Sequence, residues 1–177
     1  IDDNGAEASR KASAKLFDAD ADAWFMQGEQ VDDEYYFVTF KGNVAKVDLG
    51  GETAVAGETW PLVSKAELQK GWRPGGYQPL AVHGGTNRLY VAMHEGGVEG
   101  SHKNPAKQIW AFDTQSKKRI ARLPGHDAIS VEPSADGQRL YAIDIVKASI
   151  VIFDKIAAKA KVRKVQVGEI PIQLEAE

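Results

Sequence analysis

The stretches NRLYVAMH, Asn87 to His94, and QRLYAIDI, Gln138 to Ile145, decide how this chain folds. Each starts on a polar turn residue and runs into an apolar strand, and Tyr90 aligns with Tyr141 at an offset of 51 residues. Further on, QIWAFD, ending at Asp113, matches SIVIFD, ending at Asp154. Earlier, DEYYFVTF puts Tyr36 in the place of Tyr90, and NVAKVD, ending at Asp48, matches the second strand. The chain therefore states the same pair of strands three times, and internal repetition of this kind marks a modular fold.

Two further strands complete each unit. Upstream lie AWFMQ (23–27), PLAVH (79–83) and AISVEP (128–133). Downstream lie TAVAG (53–57), RIARLP (119–124) and KVRKVQV (161–167). The turns VDDE, HGGTN and PSADGQ precede the tyrosine strands and supply the Gly, Asn, Asp and Ser that chain reversal needs. The aspartates closing the second strands should open the next turn by bonding to nearby backbone. Four short strands per period of about 40–50 residues predict an all-β chain, a β-propeller of four-stranded antiparallel blades. The units fall at about 17–57, 77–124 and 126–167, within one partial domain spanning 1–177. The segment 168–177 begins or closes another blade. In a sandwich the spacing would recur without the sequence doing so.

One helix interrupts the pattern, at about 65–70. Ser64 is its N-cap, Glu67 completes a capping box, Val63 and Leu68 form a staple, and Gly71 takes the left-handed C-terminal position.

Composition narrows the function classes. The 177 residues are 43% hydrophobic and 27% charged, which is globular. A net charge of −3 points away from a nucleic-acid partner. No apolar run reaches the roughly 18 residues of a membrane span. There are no cysteines, hence no thiol chemistry and no Cys-ligated metal. The sequence starts at Ile1, which leaves room for processing or truncation upstream.

The units differ in length. Tyr36 to Asp48 and Tyr141 to Asp154 span 12 and 13 residues, whereas Tyr90 to Asp113 spans 23. The extra residues, roughly ten, fall within EGGVEGSHKNPAK, Glu95 to Lys107, and insertions of this sort map to one face, often the binding face. His94 and His102 flank and occupy this insert at a spacing that fits no standard zinc motif. His83 and His126 read as structural. DADAD, Asp18 to Asp22, has calcium-loop spacing, but Ala23 stands where the sharp turn needs Gly, so it reads as a solvated acidic turn. GWRPGGYQ, Gly71 to Gln78, sets an aromatic beside an arginine in a glycine-bounded turn, a pairing enriched at contact hot spots. The expected contact residues are Trp72, Arg73, His94, Glu95, His102 and Lys103. No nucleophile or metalloprotease motif appears, so no catalytic, cofactor-binding or metal-binding residue is assigned.

The run GWRPGGYQPLAVH…NRLYVAMHEGG…HKNPAKQIWAFDTQSKKRIARLPGHDAIS resembles the heavy subunit of the quinoprotein amine dehydrogenases, a family that includes methylamine and aromatic amine dehydrogenases. The similarity runs from about Phe17 to the C-terminus, and GWRPGGY and HKNPAK are its most specific elements. The resemblance implies a seven-bladed propeller in a periplasmic heterotetramer of two heavy and two light subunits. It implies a tryptophan tryptophylquinone on the light subunit and none on this chain. That quinone oxidises a primary amine to aldehyde and ammonia and passes electrons to a blue-copper protein or a cytochrome. Trp24, Trp60, Trp72 and Trp110 are not the quinone, which is built from two light-chain tryptophans. Three units are about half of such a propeller, so the chain is expected to be a fragment or part of a split subunit. The alternative is a stand-alone envelope propeller that binds a ligand and has no enzymatic activity.

Overall fold

Alternation of apolar and polar residues fixes which face each strand buries, and turns built on Asp, Asn and Gly fix where it reverses. The computed structural model describes residues 25–51, 53–97, 101–154 and 161–166. The acidic DADAD stretch, the segment 168–177 and Trp24 lie outside the described residues. Strands β1 (Phe25–Val31), β2 (Glu34–Thr39), β3 (Asn43–Asp48) and β4 (Val55–Pro61) form one antiparallel meander. Helix α1 (Lys65–Gln69) follows, with the complete Ser64–Glu67 capping box and Gly71 at φ +89° beyond its end. Val63 and Leu68 pack in the same apolar cluster, as a staple requires.

The second sheet contains β5 (Trp72–Pro74), β6 (Leu80–His83), β7 (Arg88–Glu95), β8 (Ala106–Asp113), β9 (Arg119–Pro133), β10 (Arg139–Asp144), β11 (Ser149–Asp154) and β12 (Lys161–Gln166). Its order is β12-β11-β10-β9-β8-β7-β5, with β6 also on β7. β5 and β6 together make one interrupted inner strand: β5 pairs the end of β7 and β6 its start. The described residues thus form blades of the propeller type, nearly all β, in antiparallel sheets.

Three boundaries differ from the sequence expectation, the first being β1, expected at 23–27 but running from Phe25 to Val31. β4 was expected at 53–57, but it runs from Val55 to Pro61. Gly57 is a bulge rather than a strand end: a Cβ there would lie 2.9 Å from the Lys46 carbonyl, and the β3–β4 register slips between Ala45 and Val47. Continuing past it carries Trp60 opposite Val44 and into the core. The expected strands 119–124 and 128–133 are one strand, β9, bent where His126 and Asp127 take positive φ. Its first half pairs β8 and its second half β10, so two blades share one unbroken strand.

The repeated strand explains the core. In β7, Leu89, Val91 and Met93 join an apolar cluster with the first sheet and α1, including Tyr36, Val44, Trp60 and Trp110. Tyr90 and Ala92 point the other way, into a second cluster with Leu140, Val151 and Phe153 of the third unit. Every one of these β7 residues is fully buried. At about 1.5–3 kcal/mol for each large apolar side chain withdrawn from water, a strand apolar on both faces is stable only between two neighbours. The third unit buries one face in this way. On its other face Ile143, Ile150 and Val165 line up across β10, β11 and β12, and Ile143 and Val165 remain exposed.

The turns follow the residues that predicted them. Asp48 Oδ1 accepts from Gly50 N at 2.8 Å, and Asp113 Oδ1 from Ser116 N at 2.6 Å. Asp154 instead accepts from Arg139 Nε at 2.9 Å. His83 is structural: Nδ1 accepts from Thr86 N at 3.1 Å, and Nε2 lies 3.0 Å from the Ala135 carbonyl oxygen, tying two turns together.

Candidate subunit-contact site

The two stretches singled out by sequence, GWRPGGY and the β7–β8 insert, fold against each other. Gly96 N donates to the Gly71 carbonyl at 3.2 Å, and Gly76 N donates to the His102 carbonyl at 2.8 Å. Ser101–Lys103 forms a short 3-10 turn, closed by Asn104 N donating to Ser101 O at 2.9 Å. The spacing of the glycines in the motif has a packing cause. A Cβ on Gly75 would meet His94 Cδ2 at 2.1 Å and the Asn104 carbonyl at 3.0 Å, so only glycine lets the motif lie on the His94 ring.

Phe40, in the turn between β2 and β3, reaches this point from the first sheet. Its ring stacks on His94 at 6.5 Å between centroids and 29° between planes, and meets His102 edge-on at 6.4 Å and 87°. The Arg73 guanidinium lies 6.0 Å from the Phe40 centroid. Arg73 Nη1 also donates to the Leu68 carbonyl at 2.9 Å and the Trp72 carbonyl at 2.8 Å, which satisfies the end of α1 and fixes the fork. Burial lowers the Arg73 pKa, but a guanidinium stays charged.

His94 is 1% exposed, and neither ring nitrogen makes a hydrogen bond of regular geometry. Burial, then the Arg73 charge, push its pKa down, while the nearby Pro74 carbonyl pulls weakly the other way. The ring is therefore neutral at pH 7, and it is packed as an aromatic spacer between the motif and Phe40.

Of the six expected contact residues, the structure gathers five here: Trp72, Arg73, His94, Glu95 and His102, with Lys103 adjoining on the 3-10 turn. Arg73 and His102 are half-buried, and Glu95 and Lys103 are exposed. Trp72 and His94 are buried in the chain's own core. The capped helix before Trp72 turns its indole inward, 5.4 Å from the Trp110 ring. Trp110 is fully buried, donates to Gln108 Oε1 at 2.7 Å, and is covered by Arg119 and Arg122 at 4.3 and 4.8 Å from its centroid. Glu67 of α1 bridges both arginines, Arg119 at 2.9 Å. Trp72 and Trp110 are thus neighbours in a sealed core. Among the described residues no group of three or more His, Asp or Glu could hold a metal.

Phe40 went unread as a site residue: the sequence sets it at the end of the strand DEYYFVTF, and the structure puts it in the turn after β2. A single aromatic in a turn carries no periodic signal, and its partners lie 33 to 62 residues away.

The family model for the methylamine dehydrogenase heavy chain matches residues 2–175. The chain belongs to the methylamine dehydrogenase heavy chain family. It is 28% identical over 135 residues to the methylamine dehydrogenase heavy chain of Methylorubrum extorquens, covering 75% of this chain and 33% of that one. It is 26% identical over 136 residues to the heavy chain of Methylobacillus flagellatus, covering 75% and 34%. The chain therefore spans about a third of the length of these heavy chains. Among solved structures, the β-propeller domain of Cps50 (Swd1) from Myceliophteria thermophila superposes with a TM-score of 0.52 at 12% identity, over 77% of this chain and 42% of that one. A functionally unknown protein from Desulfotomaculum acetoxidans gives 0.54 at 12%, over 83% and 41%. At that identity the likeness concerns the fold. For this heavy-chain family member, the motifs that carried the resemblance are the ones whose backbones are bonded together around Phe40.

Proposed function

We propose that this chain is part of the heavy, non-catalytic subunit of a periplasmic amine dehydrogenase. In this reading the enzyme oxidises primary amines to aldehyde and ammonia with a tryptophan tryptophylquinone carried by the light subunit. Electrons leave to a blue-copper protein or a cytochrome, and the assembly holds two heavy and two light chains in a seven-bladed propeller framework. When bound in the complex, the quinone supplies the redox chemistry, and the heavy chain supplies rigid surface. The observation that carries the reading is the joining of the GWRPGGY motif to the insert, with Arg73 and His102 held around a half-exposed Phe40. Those residues are braced by backbone hydrogen bonds and glycine contacts rather than arranged around a reacting atom, as a docking surface requires. Alanine at Arg73 in the full-length heavy chain should weaken assembly with the light subunit, measured by titration calorimetry. Equal affinity for the variant and the native protein would sink the contact role.

A further inference from the structure

The His94 ring is clasped between the two stretches that meet around it. Gly75 of the motif lies against its Cδ2–Nε2 edge and Gly96 of the insert against its Nδ1–Cε1 edge, with Asn104 beside both glycines. Phe40 stacks on the ring from the first sheet. Neither ring nitrogen has a hydrogen bond of regular geometry, although the residue is 1% exposed. The charged or titratable groups that face it are Arg73, its partner across the β5–β7 ladder, and His102 of the 3-10 turn. Lys41 and Lys103, which follow Phe40 and His102, are further exposed cations on the same two segments. Glu95, the next residue of β7, points to the opposite face and is exposed. Among the described residues the ring thus meets cations, a second imidazole and uncharged groups. The two sides of the clasp are held unequally. The motif is fixed by buried Trp72 and by Arg73 bonded to the Leu68 and Trp72 carbonyls. The Ser101–Lys103 turn is held to it by the bond from Gly76 N to the His102 carbonyl, and by the edge of His102 on Phe40.

A neutral imidazole packs here as an aromatic ring, whereas an imidazolium would bring two N–H donors and a charge into a site with an arginine beside it. We propose that His94 is a proton-operated fastener: with the ring neutral the insert lies closed on the motif, and taking up a proton lifts the Ser101–Lys103 turn and Asn104 off the motif and lets the ring reach water. The weaker side of the clasp moves, and the motif stays on the core. Burial and the Arg73 charge lower the ring's pKa in the closed form, so the proton binds the opened form more tightly. Opening is therefore favoured as pH falls below the ordinary 6.5 of a free histidine, and the closed form is complete above it. The device belongs to the heavy chain itself and stands apart from the subunit reading above.

The test is amide hydrogen exchange, read by mass spectrometry, on the full-length heavy chain alone between pH 7.5 and pH 5, each rate divided by its intrinsic rate at that pH. The expected result is that protection over 101–107 falls about tenfold, within a ceiling of about thirtyfold set by one ring that titrates near 6.5 once exposed. Protection over 109–112 in the buried part of β8 should stay constant. His94→Phe and His94→Gln, which take up no proton, should hold the protection of 101–107 level across the range, and His102→Gln should leave the fall in place. Far-UV circular dichroism checks folding, and either His94 variant suffices. Constant protection in the native chain would overturn the proposal. So would a fall of native size in a folded His94 variant, a fall shared equally by 109–112, which marks global unfolding, or a fall abolished by His102→Gln, which would make His102 the group that titrates.

Discussion

Replacing Glu67 tests how the first sheet is held to the second. Its carboxylate bonds Ser64 N and Ser64 Oγ, each at 2.9 Å, and bridges Arg119 and Arg122, whose guanidiniums lie on the Trp110 ring. Burial raises the carboxyl pKa, but the Ser64 backbone bond and Arg119 outweigh it and hold the group at about 2, below the usual 4.5. The capping interaction is worth about 1 kcal/mol. Each partly exposed arginine pair adds about 0.5–1 kcal/mol. Glu67→Ala should therefore cost about 2–3 kcal/mol, and Glu67→Gln, which can still reach back as a cap, about 1–2 kcal/mol. Because the folded pKa is depressed, the contribution is complete above pH 4.5 and disappears as pH falls towards 2. Denaturant unfolding of the full-length heavy chain between pH 7 and pH 2.5 should show the acid loss in the native protein, and a shallower one in Glu67→Gln. If Glu67→Gln unfolds with the native midpoint and the native acid slope, the bridge does not stabilise the junction between the sheets.

Four other expectations follow from the packing. Gly75→Ala should cost about 1–3 kcal/mol through collision with His94, and His94→Ala should recover part of that loss in a double-mutant cycle. Trp110→Ala should cost about 3–5 kcal/mol in the same unfolding assay and reduce the near-UV dichroism of the tryptophans. Because burial depresses the His94 pKa, the folded chain resists its protonation; stability should fall as pH drops below the usual 6.5, and His94→Phe should flatten that fall between pH 7.5 and 5. Residues 1–177 produced alone should self-associate in light scattering, because Ile143 and Val165 stay exposed on the outer face of the third unit.

What the sequence revealed follows from which signals are local. The repeated Tyr strands were legible because an unbroken apolar run from Leu89 to Met93 in β7 demands a neighbour on both faces, and Leu89 and Tyr90 indeed enter different clusters. The capping box of α1 was legible because Ser64 and Glu67 lie within one turn. The course of β9 was not, since the bend at His126 and Asp127 rests on positive φ at non-glycine residues that no turn motif announces. Gly57 misled because a glycine in a strand reads equally as an end or a bulge, and only the distant Lys46 carbonyl decides. At the candidate site, sequence found the motif and the insert but not their joint. Trp72 faces inward because of the helix before it, and Phe40 enters from a separate sheet. Neither placement has a signature within a single segment.

The central claim is that this chain belongs to a heavy subunit that supports amine oxidation without performing it. A dye-linked assay with a primary amine, run on the purified full-length heavy chain alone and after adding its light subunit, tests that most directly. The account predicts no turnover and no visible quinone absorbance from the heavy chain alone, and both once the light subunit is bound. Turnover or quinone absorbance from the heavy chain by itself would contradict it.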